Sequence, residues 1–198
     1  MNEEKFKILG IVGPSGCGKD SAAHYLADKY PKFCHYVKLH TTRPRRNEAD
    51  NGYYFVKPID FLNSVLDGTM LNAQEFRDWY YGLNINSLSK DKINVLPMSN
   101  LMVDQMLEEN RRECDLRIIY VNTDEKQRLL HILEREEKPD CYEICRRFLT
   151  DKEDYVENNE LLNKCNATIF NSYNENFFTG IDYITKSLFL FFIDEKAP

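Results

Sequence analysis

The sequence predicts an α/β fold, a mainly parallel sheet flanked by helices and interrupted by one insert. Three observations carry that expectation. A short apolar run at 6–12 ends on a glycine-rich loop, and a helix-forming stretch follows the loop directly. Apolar strand-like runs then alternate with helix-like runs to the end of the chain. One segment, residues 39–88, departs from the alternation and reads as an insert.

Each element has a local reason. Residues 6–12 form an uninterrupted apolar run, the pattern of a strand buried on both faces. Residues 20–30 place Ala22, Ala23, Leu26 and Ala27 on one side of a helix that Pro31 ends. A second strand is expected at 36–39, a polar arginine-rich loop at 41–52 and a short strand at 53–56. Residues 58–67 read as a helix closed by Gly68. Residues 70–76 are strand-like, and 79–82 read as an aromatic turn. A strand at 93–98 leads to Ser99, a candidate cap for a helix reaching about 110. Residues 117–121 are a further strand. Thr123 is the expected cap of the next helix, with Asp124 and Glu125 at its positive end. After a charged break at 134–140, one helix is expected over 140–159, then a strand at 167–170 and an aromatic-rich helix at 177–192.

Composition narrows the function. The 198 residues suffice for one domain with small mobile inserts. The net charge is −6, so nucleic acid and anionic membranes are not expected partners, and a site for a phosphorylated ligand must be locally basic. The six cysteines include no C-x-x-C pair and no zinc spacing, so they read as free thiols in a reducing cytoplasm. Cys17 stands apart, because phosphate-facing amides around it favour a thiolate. The N-terminus lacks a signal-peptide pattern, and the longest apolar run, 188–193, is too short to span a bilayer. Expected localisation is therefore cytoplasmic.

The chemistry starts at Gly13, Pro14, Ser15, Gly16, Cys17, Gly18 and Lys19. The spacing G-x-x-x-x-G-K between a strand and a helix is that of a P-loop. Its glycines let successive N–H groups converge on phosphate oxygens, and the helix end adds a positive dipole. Lys19 is placed to reach the β- and γ-phosphates of ATP. The position after the lysine, usually Ser or Thr, is Asp20, followed by Ser21. Asp20 either takes part in binding Mg²⁺, directly or through water, or only caps the helix; Ser21 is the other candidate for the metal.

Residues 41–48, TTRPRRNE, put Arg43, Arg45 and Arg46 within four positions of an otherwise acidic chain, with Glu48 available to orient one of them. Arginine forks suit bidentate phosphate binding. With this stretch the sequence resembles the guanylate kinase family. GPSGCGK resembles that family's phosphate loop, TTRPRRNEADNGYYFV its acceptor-binding stretch, and Tyr80-Tyr81-Gly82 its Y-Y-G. Residues 128–147 resemble its lid, and Ile169-Phe170-Asn171 the strand leading to its adenine pocket.

The resemblance implies a P-loop kinase fold with a core at 1–38, 89–132 and 149–198, an acceptor-binding insert at 39–88 and a small lid at 133–148. It implies ATP and Mg²⁺ as cofactors and a small phosphorylated acceptor, GMP or dGMP first. Arg43 and one of Arg45 or Arg46 would grip the acceptor phosphate, with Tyr53 (or Tyr54) and Tyr81 donating to it. Arg135 and Arg147, with Arg146 as the alternative to Arg147, would close with the lid. Asn171 would lie near adenine.

The positions that read guanine in the family are changed. Its glutamate falls on Asn72, its serines on Leu83 and Leu39, and an aspartate on Ser99. Gln74 or Glu75 substitutes only if the strand register shifts, and an odd shift turns the other face inward. Gly-Lys-Asp-Ser and Ser99 also resemble ribose 1,5-bisphosphate phosphokinases, so a phosphosugar or a non-guanine nucleotide stands as an alternative acceptor. A guanylate-kinase-like binding module without catalysis is the alternative of another class; Lys19 and the full glycine set speak against it. The histidines are scattered, and the aromatics of 177–192 read as core before dimer surface, leaving monomer and homodimer both open.

Overall fold

The computed structural model describes residues 5–45, 48, 50–76, 78–108, 113–134, 139–156, 159–174 and 176–194. Its centre is a five-stranded sheet in the order β2-β7-β1-β8-β9, with every pairing parallel. The strands are β1 Phe6–Val12, β2 Cys34–Tyr36, β7 Ile93–Met98, β8 Cys114–Thr123 and β9 Ala167–Asn171. Strand β1 is the middle one, and Ile8, Leu9, Ile11 and Val12 are almost wholly buried. Alternate residues feed two cores. Leu9, Ile11, Val95, Ile119 and Val121 pack with Ala22, Ala23 and Leu26 of α1 (Lys19–Lys29) and with Phe177 and Ile181 of α7 (Asn176–Asp194). On the other face Ile8, Val12, Leu96, Met98 and Ile118 pack with Met102, Val103 and Met106 of α3 (Asn100–Glu108). Helices on both faces explain why β1 is apolar throughout and not alternating.

A second sheet, β4-β3-β6-β5, lies wholly within residues 40–84. Its strands are β3 His40–Thr41, β4 Tyr54–Phe55, β5 Met70–Phe76 and β6 Trp79–Asn84. Helix α2 (Pro58–Leu66) starts with proline in its first turn, where no N–H is needed. It packs Phe61 on Tyr80 with ring centroids 5.6 Å apart. The two sheets are bridged by the strip 37–39, where Val37 N–H donates to Val95 O and Leu39 O accepts from Tyr54 N–H, each at 2.9 Å.

Several expectations are corrected. Residues 79–82 are strand, not turn: the aromatic run suits a pleated surface, and the bend falls earlier, at Asp78 (φ 61°). Gly82 sits in β6 because a Cβ there would meet the Asn72 carbonyl oxygen at 2.5 Å. Strand β2 falls at 34–36 and not 36–39. The cap of α4 (Glu125–Glu134) is Asp124, whose carboxylate accepts from Gln127 N–H at 3.0 Å. The Thr123 hydroxyl donates instead to Asn171 O at 2.8 Å. Ser99 does cap α3, accepting from Met102 N–H at 3.1 Å.

The single helix expected over 140–159 is broken. Helix α5 (Cys141–Asp151) passes into a π-helical turn, Lys152–Val156, and α6 (Asn159–Lys164) follows. The wide turn goes with two side chains drawn inward: Asp151 and Tyr155 are both buried. Among the described residues no helix is long and apolar enough to cross a membrane.

Candidate active site

The loop between β1 and α1 is built by backbone conformation. Gly13, Gly16 and Gly18 all have positive φ, 155°, 80° and 96°. At Gly18 a Cβ would also meet the Asn171 amide nitrogen at 2.6 Å, and at Gly13 the Val121 carbonyl oxygen at 2.4 Å. The loop is thus packed against the carboxyl ends of β8 and β9, where α/β sheets bind ligands. Asn171 is spent on holding it: its Nδ2 donates to Cys17 O at 2.9 Å, and its Oδ1 accepts from Tyr173 N–H at 2.8 Å.

Lys19 Nζ donates to Pro14 O at 3.3 Å, folded over the loop. Burial works against its charge, yet Cys17, Asp20, Tyr155 and Asp151 nearby hold its pKa above the usual lysine value. Cys17 corrects an expectation. Its thiol is wholly buried, and burial pushes its pKa up in spite of Lys19 and Arg128, so it is a neutral packing group and not a thiolate.

Asp20 does not cap α1: the N-cap is Gly18, with no side-chain hydrogen bond at that end. Its carboxylate instead reinforces the rise that burial gives the phenols of Tyr36 and Tyr53. Asp20 is thus exposed and within electrostatic reach of both Tyr36 of β2 and Tyr53. Among the described residues no three His, Cys, Asp or Glu side chains cluster as a metal cage. Asp20 and Ser21 bring hard oxygen donors to the start of α1, the kind Mg²⁺ takes one or two of beside phosphate oxygens and water.

Beside the loop lies a cavity of about 500 Å³ lined by Gly18, Ser21, His131, Asn171, Tyr173 and Phe177 among others. Its size and mixed lining suit a nucleoside. His131 packs on Tyr173 with ring centroids 4.8 Å apart, forming one wall.

Across from the loop, β3, β4 and β6 assemble a basic, aromatic cluster. Arg43 is buried; its Nη2 lies 2.8 Å from Asp50 Oδ2 and its Nη1 donates to Pro44 O at 3.0 Å. Its guanidinium sits 5.6 Å from the Tyr53 ring and 5.3 Å from that of Phe55. Tyr53 meets Tyr81 edge to face at 5.7 Å. Arg45 lies 4.6 Å from the Phe55 ring and donates to the Asp50 carbonyl at 3.0 Å, so it joins Arg43 around one residue. Arg46 lies outside the described residues. Asp50 is the acid that orients Arg43 and Arg45; Glu48 is exposed.

The base-reading candidates form one network. After a register irregularity between Met70 and Asn72, the strands pair Asn72 with Leu83 and Gln74 with Tyr81, so Asn72 and Gln74 share a face. Gln74 Nε2 donates to Asn72 Oδ1 and to Gln105 Oε1, both at 3.2 Å, and Asn72 Nδ2 also donates to Gln105. Ser99 Oγ donates to Gln74 Oε1 at 3.2 Å. Leu83 is fully buried and Leu39 partly so. The side chains of this set are neutral.

On α5, Arg146 and Arg147 both bind Glu143, at 2.9 and 2.7 Å, one turn back on the same helix. Arg146 also lies 5.6 Å from the Phe76 ring, so this helix touches the tip of the second sheet. Arg135 lies outside the described residues. His40 packs against Tyr54 at 5.0 Å; burial lowers its pKa, and its Nδ1 is buried without a hydrogen-bond partner.

Four residues escaped sequence reasoning: Asp50, Gln105, Arg128 and Asp151. Arg128 is 1% exposed and its Nη1 donates to Asp151 Oδ2 at 2.8 Å and to Ser15 O at 3.3 Å. Ser15 in turn donates to Asp151 through its N–H, at 2.9 Å, and its hydroxyl, at 3.3 Å. The one sequence signal was two charged residues inside amphipathic helices, and that pattern is ordinarily a solvated face.

Comparison with known proteins gives the family and the fold. The family model described as guanylate kinase matches residues 5–165. Guanylate kinase of Nostoc sp. (strain PCC 7120) is 34% identical over 96 residues, 46% of this chain and 48% of that protein. Guanylate kinase of Helicobacter pylori (strain J99) is 35% identical over 83 residues, 41% and 40% of the two chains. The chain spans about half the length of the curated relatives it matches. Among solved structures, guanylate kinase from Anaplasma phagocytophilum aligns with a TM-score of 0.58 at 19% identity, covering 95% of this chain and 87% of that one. Shikimate kinase from Acinetobacter baumannii aligns at 0.51 and 13% identity, covering 98% and 97%. At these identities the likeness speaks for the fold alone.

Proposed function

Since the chain belongs to the guanylate kinase family, we propose that it transfers the γ-phosphoryl group of ATP to a nucleoside monophosphate, with GMP or dGMP the first acceptors to try. One observation carries the reading: Tyr53, which meets Tyr81 edge to face and lies 5.6 Å from the Arg43 guanidinium, is also within electrostatic reach of Asp20 and Lys19 of the phosphate loop. Donor and acceptor phosphates would thereby meet end to end.

In this mechanism the loop amides and Lys19 hold the β- and γ-phosphates, and the nucleoside occupies the cavity beside Tyr173. Arg43 and Arg45 fix the acceptor phosphate, with Tyr53 and Tyr81 donating hydrogen bonds to it. An acceptor phosphate oxygen forms the new P–O bond as the bond to the β-phosphate breaks, and ADP leaves. No general base is needed, because the attacking oxygen is already ionised. Mg²⁺, held through Asp20 or Ser21, would supply charge neutralisation of the phosphates. Arg147 or Arg146, and Arg135, would stabilise the transferring group and exclude water.

A second reading is favoured by the amide network. Guanine offers adjacent N–H donors that call for a carboxylate, whereas Asn72, Gln74 and Gln105 each present an NH2 donor group beside a single carbonyl acceptor. A non-guanine nucleotide or a phosphosugar such as ribose 1,5-bisphosphate fits that set better.

The test is ADP release from ATP–Mg²⁺ with GMP, dGMP, AMP, UMP, dTMP or ribose 1,5-bisphosphate. Lys19-dependent turnover preferring GMP supports the first reading, and preference for another acceptor supports the second. ATP binding without turnover on any acceptor would favour a non-catalytic binding module.

A further inference from the structure

We propose that Asp151 is a positioning residue that latches the phosphate loop to the arginine-bearing helix α5, and that an incoming polyphosphate displaces it. The inference rests on the reading that the loop 13–19 takes a triphosphate.

The contact pairs an anion with an anion-binding loop. Ser15 lies inside the loop, and both its N–H and its hydroxyl point at the Asp151 carboxylate, at 2.9 and 3.3 Å. Asp151 lies 136 positions further along the chain, in the last turn of α5. It also lies among the negative groups that bear on Lys19. A side-chain carboxylate thus stands where the loop's donors and cation would otherwise serve phosphate.

The latch reaches the lid arginines through one rigid helix. Asp151 follows Arg147 by one turn, and its Oδ2 is held from the other side by Arg128. Arg128 is packed 4.2 Å from the Phe148 ring of the same helix. The π-helical turn starts at the next residue, Lys152, and is fastened to α3 by Asn100 Nδ2 donating to Asp154 O at 3.3 Å. Such turns concentrate at functional sites, and here it lies between α5 and the segment tied to α3.

Electrostatics gives the sign. A triphosphate brings several negative charges to the donors that Asp151 holds, and two anions cannot share them. Either the carboxylate withdraws, moving α5 and its arginines, or nucleotide affinity falls. A coupling of this kind typically changes affinity by 5–150-fold. If Asp151 merely braced the loop, removing its charge would loosen the donors and weaken binding, the opposite sign.

The experiment is calorimetric titration of the full chain with inorganic tripolyphosphate and with ATP, without acceptor, for wild type and Asp151→Asn, with thermal melts of both. The latch predicts that Asp151→Asn binds both ligands about tenfold more tightly. Unchanged or weaker binding by a folded Asp151→Asn overturns it. Should that variant not fold, the carboxyl ¹³C resonance of Asp151 in wild type decides. It is expected to move when tripolyphosphate saturates the protein, and a stationary resonance overturns the latch. A wild-type chain that binds neither ligand would overturn the loop's reading under Proposed function and the latch with it, an outcome distinct from both.

Discussion

Asp50 holds Arg43 at 2.8 Å while the same guanidinium lies against the rings of Tyr53 and Phe55. The arginine is thus aimed before any ligand arrives, and little ordering cost is left for binding. Asp50→Ala is expected to lower kcat/KM for the acceptor about 10- to 100-fold and to leave KM for ATP within about twofold. Initial rates with each substrate varied in turn check this. An equal loss on both substrates would place Asp50 in general folding and not in acceptor binding.

Lys19 is a partly buried cation bent onto Pro14 O. Lys19→Ala should therefore reduce kcat by about 10²- to 10³-fold, the usual loss for one electrostatic donor at a transferring group. Melting temperature should change little. Residual activity near wild type would rule out this loop as the phosphoryl donor site.

Gln105 bridges Asn72 and Gln74 from helix α3. Gln105→Leu leaves the buried Asn72 amide short of a partner, at a cost of about 1–3 kcal/mol. Acceptor KM should rise and the ranking of acceptors in the panel should change, with ATP KM unaffected. A preserved ranking would show that this network supports the sheet without touching the acceptor.

Burial pushes the thiols of Cys34 and Cys114 up to about 12 from the ordinary value near 9. Their folded pKa values are the raised ones, so the stability they contribute is whole below about pH 9. It is lost as pH rises from there toward 12. These two groups contribute a fall of about 3 kcal/mol between pH 8 and pH 10, at 1.4 kcal/mol per unit each above the ordinary value, and the raised thiols of Cys17 and Cys165 add to it. Urea unfolding at both pH values measures it, and Cys34→Ala should make the slope shallower by about 1.4 kcal/mol over that interval. No change in slope would mean the thiols ionise without unfolding.

How far the sequence could be read follows chain distance. The phosphate loop was legible because its seven residues are consecutive and their conformations are set by glycine. The parallel sheet was legible because burial on both faces leaves an unbroken apolar run at β1. Asp50 was passed over for Glu48 because both are acids near the arginines, and only the turn decides which reaches Arg43. Asp151 and Gln105 were invisible, since their partners stand 136 and 33 positions away. The break in 140–159 has no glycine or proline to mark it; it follows from where Asp151 and Tyr155 must point. Tyr80-Tyr81-Gly82 misled because a glycine beside aromatics signals a turn as often as a close strand approach.

The second sheet enters from the core along the strip 37–39 and returns to it after Ser87. Everything between those crossings can be rewritten without disturbing the residues that hold ATP in this reading. A lineage carrying this architecture can keep its fuel handling fixed while its choice of cargo drifts. In this chain the phosphate loop lies before those crossings, and Asn72 and Leu83 lie between them. Transplanting residues 39–88 between relatives is accordingly the shortest route by which such a protein acquires a new customer.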